Sequence, residues 1–264
     1  MSRGLIIGKF LPPHRGHQYL LDFAKYFCER LTVQVCSIHS EPIPGDVRFA
    51  WMQETFGAQS GITLVHNSAE NPQLPEDCPD RFWEIWRDSI FKHMDGKPDY
   101  LFASEDYGLK LAAVLGARYI PVDQTRQILP ISGTAIRQDP MANWEYIVPA
   151  TRPWFLKRVA IVGPESSGKS TLASTLARRF NTCHVPEYGR SYLDAVGFTL
   201  DEEAFITIAR GHRASEEALA RHANRVLFSD TECLTTKMWS SELIGHVPEL
   251  VDVWPARTDT IYTW

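Results

Sequence analysis

Apolar and polar residues alternate along the chain in two ways, and the two patterns predict the order of its strands and helices. Short apolar runs predict strands, and longer segments with an apolar residue every three or four positions predict helices. Helical segments near residues 14–30, 47–56, 81–93 and 107–116 separate five predicted strands: GLIIG (4–8), LTVQVCSI (31–38), GITLVHN (61–67), YLFAS (100–104) and RYIPVD (118–123). Strands that alternate with helices favour a parallel sheet covered by helices.

The periodicity breaks at VPATRPW (148–154), where two prolines interrupt the pattern. A second series follows, with helices at 169–180 and 201–223 and with strands KRVAIVG (157–163), CHVPEY (183–188), RVLFSD (225–230) and TDTIYTW (258–264). We therefore predict an α/β protein of two domains, residues 1–150 and 151–264.

Composition narrows the class of protein. The 264 residues are 44% hydrophobic, and the five cysteines are scattered without metal-ligand spacing, which predicts a reducing cytoplasm and neither a disulfide framework nor a zinc site. No apolar run is long enough for a signal peptide or a membrane span. A net charge of −5 argues against a broad nucleic-acid or membrane surface. Small-molecule partners are expected, and a homo-oligomer is left open.

The stretch GKFLPPHRGHQYL (8–20) places two histidines at the start of the first predicted helix, directly after a strand. The N-terminus of a helix offers free N–H groups and a positive dipole end, which suit a phosphate. His14 and His17 are three residues apart and share a helix face. They either face a bound anion or serve as capping and surface residues.

This stretch resembles the G-x-F-x-P-x-H-x-G-H signature of the HxGH nucleotidyltransferase superfamily, matched at Gly8, Phe10, Pro12, His14, Gly16 and His17. ISGTAIR (131–137) is similar to the second motif of that superfamily, I-S-x-T-x-x-R. The resemblance implies a Rossmann-like domain that transfers the adenylyl group of ATP with Mg²⁺. It also implies ATP contacts from the first motif, including Lys9, and a hold on the triphosphate by Ser132, Thr134 and Arg137. Lys9 is alternatively a solvated residue at a strand end.

Two segments between these motifs bear on the acceptor. EPIPGDVRFAWMQETF (41–56) and RFWEIWRDSI (81–90) resemble the NadR family of nicotinamide mononucleotide (NMN) adenylyltransferases, which implies NMN as acceptor. Nicotinate mononucleotide remains the alternative. Trp83 and Trp86 either stack on a pyridinium ring or are core residues of an amphipathic helix. Arg48 and Arg126 are candidates to clamp the substrate phosphate, or else members of surface ion pairs.

The second predicted domain opens with a P-loop pattern, GPESSGKST (163–171), between a strand and a helix. Lys169 is expected to reach the β- and γ-phosphates of ATP and Ser170 to bind Mg²⁺. Asp230, at the end of a strand, is the candidate for the second Mg²⁺-holding residue or an ordinary strand-end aspartate. The remaining ATP-binding candidates of the loop are Gly163, Ser166, Ser167, Gly168 and Thr171.

A P-loop behind an HxGH domain is the layout of bifunctional NadR-type proteins. VPEYGR (185–190) and SDTECLTTKMW (229–239) resemble segments of ribosylnicotinamide kinases, which implies phosphorylation of nicotinamide riboside to NMN. The resemblance implies that Glu187 and Arg190 bind the riboside or activate its hydroxyl, and a structural ion pair is the alternative.

Such kinases typically continue past the last predicted strand into a lid that carries an arginine. We therefore expect an incomplete kinase domain that binds ATP at residues 163–170 weakly or unproductively, with riboside kinase activity much reduced or absent and the adenylyltransferase still active. The alternative hypothesis is that the protein is not an enzyme in this domain but a regulator that binds ATP at the P-loop without turnover.

Overall fold

The protein is described by a computed structural model that covers residues 1–197, 199–253 and 260–263. The chain divides into two compact units, Met1–Thr151 and Arg152–Trp264. Each unit contains one parallel sheet, with five strands in the first and four in the second among the described residues. The prediction of an α/β fold with parallel sheets is confirmed.

The first unit alternates strands and helices almost throughout. Short 3-10 turns lie at Pro75–Asp77, Trp144–Tyr146 and Pro149–Thr151. Its strands and helices are, in chain order, β1 (Arg3–Gly8), α1 (Arg15–Phe27), β2 (Arg30–Cys36), α2 (Gly45–Phe56), β3 (Ile62–Asn67), α3 (Phe82–Phe91), β4 (Tyr100–Ala103), α4 (Tyr107–Leu115), β5 (Arg118–Pro121) and α5 (Gly133–Gln138).

Alternation along β1 builds a core on each face of the first sheet. Successive side chains of a strand point to opposite faces, and Ile6 packs in a cluster with residues of α1 and α2 such as Leu21 and Met52. Leu5 packs in a separate cluster with residues of α3 and α4, including Ile90 and Leu111. Because both faces are covered, the central strands are apolar on both sides, as in doubly wound sheets.

The strand order of the first sheet is β3-β2-β1-β4-β5. The chain runs outward from β1 in one direction through β2 and β3, and returns to the other side of β1 at β4. This reversal creates a crevice beyond the carboxyl ends of β1 and β4, where doubly wound folds bind ligands.

The second unit repeats the pattern with a sheet of order β7-β8-β6-β9. Its elements are α6 (Arg152–Phe155), β6 (Lys157–Val162), α7 (Lys169–Arg179), β7 (His184–Val185), α8 (Tyr188–Val196), α9 (Glu202–Ala220), β8 (Val226–Asp230), α10 (Cys233–Ile244), α11 (Glu249–Asp252) and β9 (Thr260–Thr263).

Several boundaries differ from the sequence-based prediction, among them those of two strands in the second unit. The predicted strand CHVPEY shortens to His184–Val185, and Glu187 adopts an extended conformation as the residue that caps α8. Pro186 has no N–H to continue a ladder, which is a physical reason for the early end. The predicted strand TDTIYTW contains β9, whose Ile261 is in register with Ala160 of β6. Thr258, Asp259 and Trp264 lie outside the described residues.

None of the helices in the described ranges combines the length and apolar character needed to cross a lipid bilayer.

Candidate functional site

The crevice of the first unit is a cavity of about 870 Å³. It opens where β1 and β4 end, so the loops that follow these two strands form much of its wall. The sequence-predicted residues that line it are Gly8, Lys9, Phe10, His14, Gly16, His17, Trp83, Trp86, Arg126, Ser132, Thr134 and Arg137. A volume of this size accommodates a nucleotide-sized ligand.

His14 is the N-cap residue of α1. Its backbone is extended, and its side-chain Nδ1 accepts a hydrogen bond from the His17 N–H at 3.4 Å. In the neutral imidazole the proton is therefore on Nε2, which leaves that nitrogen as the donor. The imidazole rings of His14 and His17 stack with centroids 3.7 Å apart. A side chain on Gly16 would collide with the His14 ring, so glycine at this position permits the stacked arrangement.

Burial keeps both imidazoles uncharged. Loss of hydration and, to a smaller extent, the charge of Arg126 together lower the pKa of His14 to about 4. Burial, followed by the charges of His14 and Arg126, places the pKa of His17 well below its usual value. His17 Nδ1 is a buried atom without a hydrogen-bond partner among the described residues. Such an atom is costly unless a ligand or water satisfies it, so it marks a point where the cavity is built for a polar group.

The second motif lies against the first. Ser132 caps α5 by accepting a hydrogen bond from Ala135 N–H at 3.1 Å, and Arg137 donates from Nη1 to the Leu11 carbonyl. Any side chain at Gly133 would clash with that same Leu11 carbonyl oxygen. The start of α5 thus packs directly on the loop after β1, which brings Thr134 and Arg137 to the cavity wall.

Lys9 and Arg48 share one acidic partner, Glu41. Lys9 Nζ lies 3.0 Å from Glu41 Oε1, and its side chain remains half exposed at the cavity. Arg48 is fully buried and ion-paired with Glu41, and it also donates to the carbonyls of Lys9, Cys36 and Ile43. Arg48 does not line the cavity, so the structure does not bring it to the site as a phosphate clamp. Its guanidinium instead holds the loops after β1 and β2 together.

Arg126 lies in the loop before α5, with positive φ, and its Nη2 is 2.6 Å from Glu105 Oε1. Glu105 follows β4, and Asp123 braces the loop by accepting hydrogen bonds from the N–H groups of Ile128 and Leu129, each at 3.1 Å. Both carboxylates line the cavity, as does Asp106, and sequence reasoning missed all three. The signal was present: polar residues directly follow the predicted strand YLFAS, and parallel strands end at one edge.

The aromatic wall of the cavity comes from α3 and the preceding loop. Trp83 and Trp86 line the cavity and also pack on the core cluster around Leu5. Trp86 donates from Nε1 to the Pro72 carbonyl at 2.9 Å, which fixes the plane of its ring. Gln73, which sequence reasoning also missed, lines the same wall. The two predicted roles of the tryptophans, core and cavity lining, therefore coexist in the same side chains.

In the second unit, β6 leads into a loop that precedes α7. Gly163, Ser166 and Gly168 have positive φ, a conformation that glycine adopts readily and serine rarely. Lys169 is the first residue of α7, and its Nζ donates to the Pro164 carbonyl at 2.7 Å; Ser167 Oγ donates to the same carbonyl at 2.9 Å. Ser170 and Thr171 are exposed in the first turn of the helix. This is the strand, tight loop and helix that phosphate binding by backbone N–H groups requires.

Asp230 ends the strand β8 and is in register with Ile161 of β6, so it lies at the same sheet edge as the P-loop. It is 2% exposed, and its Oδ1 has no hydrogen-bond partner in the described part of the chain. An orphaned buried carboxylate oxygen fits a cation or a cation-bound water. No three histidine, cysteine, aspartate or glutamate side chains cluster to hold a metal within the described residues. Mg²⁺ at this site would need further ligands besides Asp230, for which the Ser170 hydroxyl, nucleotide phosphates and water are the candidates.

Glu187 and Arg190 are adjacent at the start of α8. Arg190 Nε lies 3.5 Å from Glu187 Oε2, with side-chain exposures of 62% and 32%. The ion pair considered as the alternative to a substrate role is therefore present, and both groups remain accessible. Glu232, two residues beyond Asp230, is a buried carboxylate that caps α10 through Leu234 N–H at 2.9 Å, and sequence reasoning did not single it out.

The sequence is similar to proteins of NAD metabolism. It is 34% identical to the trifunctional NAD biosynthesis/regulator protein NadR of Escherichia coli (strain K12), over 92% of this chain and 63% of that protein. The corresponding protein of Salmonella typhimurium is 33% identical over the same shares. The chain thus spans less than two thirds of the length of these relatives. Residues 158–261 match a family described as AAA domain.

Two solved structures share the fold. A crystal structure of NadR protein in complex with NR has a TM-score of 0.81 and 22% identity, and the match covers 99% of this chain and 79% of that one. A structure of NadR protein with NAD and AMP-PNP also has a TM-score of 0.81, with 23% identity and coverage of 99% and 80%. The chain is therefore NadR-like in sequence and in fold.

Proposed function

We propose that the first unit transfers AMP from ATP to NMN, giving NAD and pyrophosphate. The observation that carries this proposal is the convergence of two sequence motifs, separated by more than a hundred residues, on one cavity of about 870 Å³. The similarity to NadR supports a role in NAD biosynthesis, because those relatives are described as NAD biosynthesis/regulator proteins.

The chemistry needs positioning and charge stabilisation more than a base. The phosphate of NMN is already ionised at neutral pH, so one of its oxygens attacks the α-phosphorus of ATP directly. The bond from that phosphorus to the bridging oxygen breaks, and pyrophosphate leaves with the electron pair. His14, through Nε2–H, and His17 are neutral donors that contribute hydrogen bonds to the oxygens on which charge develops. Arg137 and Lys9 supply positive charge at the triphosphate. When Mg²⁺ is bound with the nucleotide, it would supply further neutralisation of phosphate charge.

The aromatic wall suits the acceptor. Trp83 and Trp86 offer ring faces to the pyridinium cation of NMN, and an aromatic face attracts a cation. Arg126 is the cation that we assign to the phosphate side of the acceptor, with Glu105 holding it in place at 2.6 Å. We leave Arg48 out of this assignment because it is buried away from the cavity.

For the second unit we propose phosphorylation of nicotinamide riboside by ATP, which forms the NMN that the first unit uses. The P-loop geometry at Gly163–Ser170, the orphaned carboxylate oxygen of Asp230 and the match to an AAA domain family support ATP binding there. Glu187 is the candidate to accept the proton of the riboside hydroxyl or to hold the ribose. A regulator that binds ATP without turnover is the alternative for this unit.

A product assay with matched acceptors tests both activities. Purified protein with Mg-ATP and NMN should form NAD and pyrophosphate in equal amounts, and nicotinate mononucleotide in place of NMN tests the alternative acceptor. Nicotinamide riboside with Mg-ATP should yield NMN and ADP. ATP binding without any riboside phosphorylation would favour the regulator for the second unit and leave the first proposal standing.

A further inference from the structure

The aromatic end of the cavity carries one polar side chain with a defined orientation, Gln73. Its Nε2 donates to the Asn71 carbonyl at 2.7 Å. A carbonyl oxygen only accepts, so the amide nitrogen of Gln73 must face it and the reverse amide orientation is excluded. Gln73 Oε1 has no hydrogen-bond partner among the described residues, and the side chain lines the cavity. The wall beside the tryptophans therefore presents a hydrogen-bond acceptor.

A buried polar network holds this acceptor in place. Gln34 Nε2 donates to the Ile90 carbonyl at 2.9 Å, which turns Gln34 Oε1 towards the Asn67 amide nitrogen, 3.2 Å away. Asn67 Nδ2 also donates to Ser89 Oγ at 3.0 Å, Ser89 Oγ donates to Asn67 Oδ1 at 3.3 Å, and Asn71 Nδ2 donates to Ser89 Oγ at 2.9 Å. The four side chains are between 0% and 8% exposed. The Ile90 carbonyl fixes the orientation of the Gln34 amide, and Gln34 Oε1 in turn fixes that of the Asn67 amide.

This network links the sheet to the wall. It joins β2 and β3 to α3, which carries both tryptophans, and to the loop that carries Gln73. Pro72, between Asn71 and Gln73, accepts the Trp86 indole N–H at 2.9 Å. A satisfied buried network fixes one geometry, because each alternative would leave a polar group unpaired.

The same wall lacks a cation. The loop and helix that form it contain Arg81 and Arg87, but neither lines the cavity. Arg81 pairs with Glu84 at 3.3 Å, and Arg87 pairs with Asp88 at 2.8 Å. A carboxylate placed beside Gln73 would therefore face the acceptor oxygen of Gln73, and neither Arg81 nor Arg87 would offset its negative charge.

We infer that Gln73 is a specificity-determining residue: Oε1 accepts an N–H from a pyridine carboxamide, and the same oxygen disfavours the corresponding carboxylate. This inference rests on the proposed function and deepens it, because it selects NMN over nicotinate mononucleotide on the basis of one oriented side chain. A site built to accept an N–H rejects an analogue that has only acceptors, since two acceptors then face each other without a proton.

The test compares both acceptors in three proteins. In Gln73→Leu the ratio of kcat/KM for NMN to that for nicotinate mononucleotide should fall by about tenfold or more, because the accepted hydrogen bond is lost and the repulsion is relieved. In Gln73→Lys, which retains a donor for the Asn71 carbonyl and adds a cation, the preference should reverse. Gln124→Leu is the matched control: Gln124 donates to Tyr119 Oη at 2.8 Å and does not line the cavity, so its ratio should equal that of the wild type.

Tryptophan fluorescence titrated with NMN and with nicotinate mononucleotide gives the binding preference independently of turnover, and the thermal midpoint identifies any variant that does not fold. Normal NMN turnover with an unchanged ratio in Gln73→Leu and Gln73→Lys would overturn the role of Gln73 and leave adenylyl transfer intact. A preference of the wild type for nicotinate mononucleotide would also overturn the role of Gln73 and leave adenylyl transfer intact. Absence of dinucleotide from either acceptor in the wild type would instead overturn the proposed function, and this inference with it.

Discussion

At the scale of single residues, the histidine pair shows how burial converts a titratable side chain into a neutral donor. His14 is both the cap of α1 and part of the cavity wall, so its capping hydrogen bond determines which nitrogen carries the proton. His17 contributes a buried nitrogen without a partner in the described residues. Both imidazoles are therefore neutral, and a ligand that reaches them meets hydrogen-bonding groups and not positive charge.

Substitution of His17 should affect catalysis far more than stability. His17→Ala removes a donor to the developing charge, and loss of one such donor lowers kcat by roughly 10²–10³. It removes no protein hydrogen bond from His17 Nδ1, so the thermal midpoint should change little. NAD formation and thermal unfolding are measured together, with His39→Ala as control, since His39 is 94% exposed in the same unit. Retention of more than about a tenth of the wild-type rate would count against the assignment, as a decade corresponds to about 1.4 kcal/mol.

His14 should make the first unit sensitive to acid. Its folded-state pKa of about 4 lies below the unfolded value of 6.5, so the unfolded chain takes up a proton first as the pH falls. The stabilisation from His14 is complete above pH 6.5 and is lost towards pH 4, about 3 kcal/mol in total at 1.36 kcal/mol per unit. His14→Asn retains a capping side chain without this titration. Urea unfolding at pH 7 and pH 5 should show a smaller loss in the variant; equal losses would refute the depressed pKa.

At the scale of elements, the sequence pattern predicted most strands and helices, but it could not predict which loops meet. The apolar runs placed β1, β2 and β4 correctly because each is a short buried run bounded by polar residues or glycine. Helix ends shifted by a few residues, as at α1, which ends at Phe27 and not near Arg30. The strand predicted to run to Tyr188 ends at Val185. Pro186 follows it, and Glu187 is the N-cap residue of α8, which begins at Tyr188.

The sequence predicted the residues of the candidate site that belong to a contiguous motif. It missed those that only the strand order brings to the cavity. Gly8 to His17 and Ser132 to Arg137 are contiguous patterns, and both reach the cavity. Glu105, Asp123 and Gln73 belong to no such motif and come to the site through the order of strands and through hydrogen bonds. Arg48 was a candidate to bind the substrate phosphate because its residue type suits a phosphate. The three-dimensional structure shows that its guanidinium is buried away from the cavity.

The buried network beneath α3 gives a prediction at this scale. Ser89→Ala removes the hydroxyl that links Asn67 and Asn71, at 3.3 and 2.9 Å, and leaves buried amide groups unpaired. The free energy of unfolding should fall by about 1–3 kcal/mol. The KM for NMN should rise while the KM for ATP stays the same, because the network supports only the aromatic wall. Ser68→Ala is the control, since Ser68 is exposed in the same segment. Equal changes in both KM values would indicate a general structural role.

At the scale of the whole molecule, the chain combines two parallel α/β units, and we propose a different phosphate-binding arrangement for each. In the first, the candidate arrangement is a capped helix with neutral histidines, and in the second it is a loop with positive φ and a lysine at the start of α7. The two arrangements belong to different strands and different sheets. We therefore expect two independent ATP sites.

Exchange of variants between the two assays tests this independence. Lys169→Ala should abolish phosphorylation of nicotinamide riboside, because Lys169 supplies the charge at the transferred phosphate, and it should leave NAD formation from NMN at the wild-type rate. His17→Ala should do the reverse. Lys97→Ala, which changes an exposed lysine of the first unit that does not line the cavity, serves as a check on general effects of charge removal. Loss of both activities from Lys169→Ala alone would contradict two separate sites.

The fate of the α-phosphate of ATP shows whether the first unit transfers AMP to NMN. ATP labelled at the α-phosphate is incubated with NMN, Mg²⁺ and the Lys169→Ala protein. This variant is used because it should lack the kinase activity of the second unit. The label should appear in NAD, with one pyrophosphate released for each NAD formed, and His17→Ala in the same background should reduce this by a hundredfold or more. If the label remains in ATP, or appears in ADP or free AMP without NAD, the first unit does not transfer AMP to NMN.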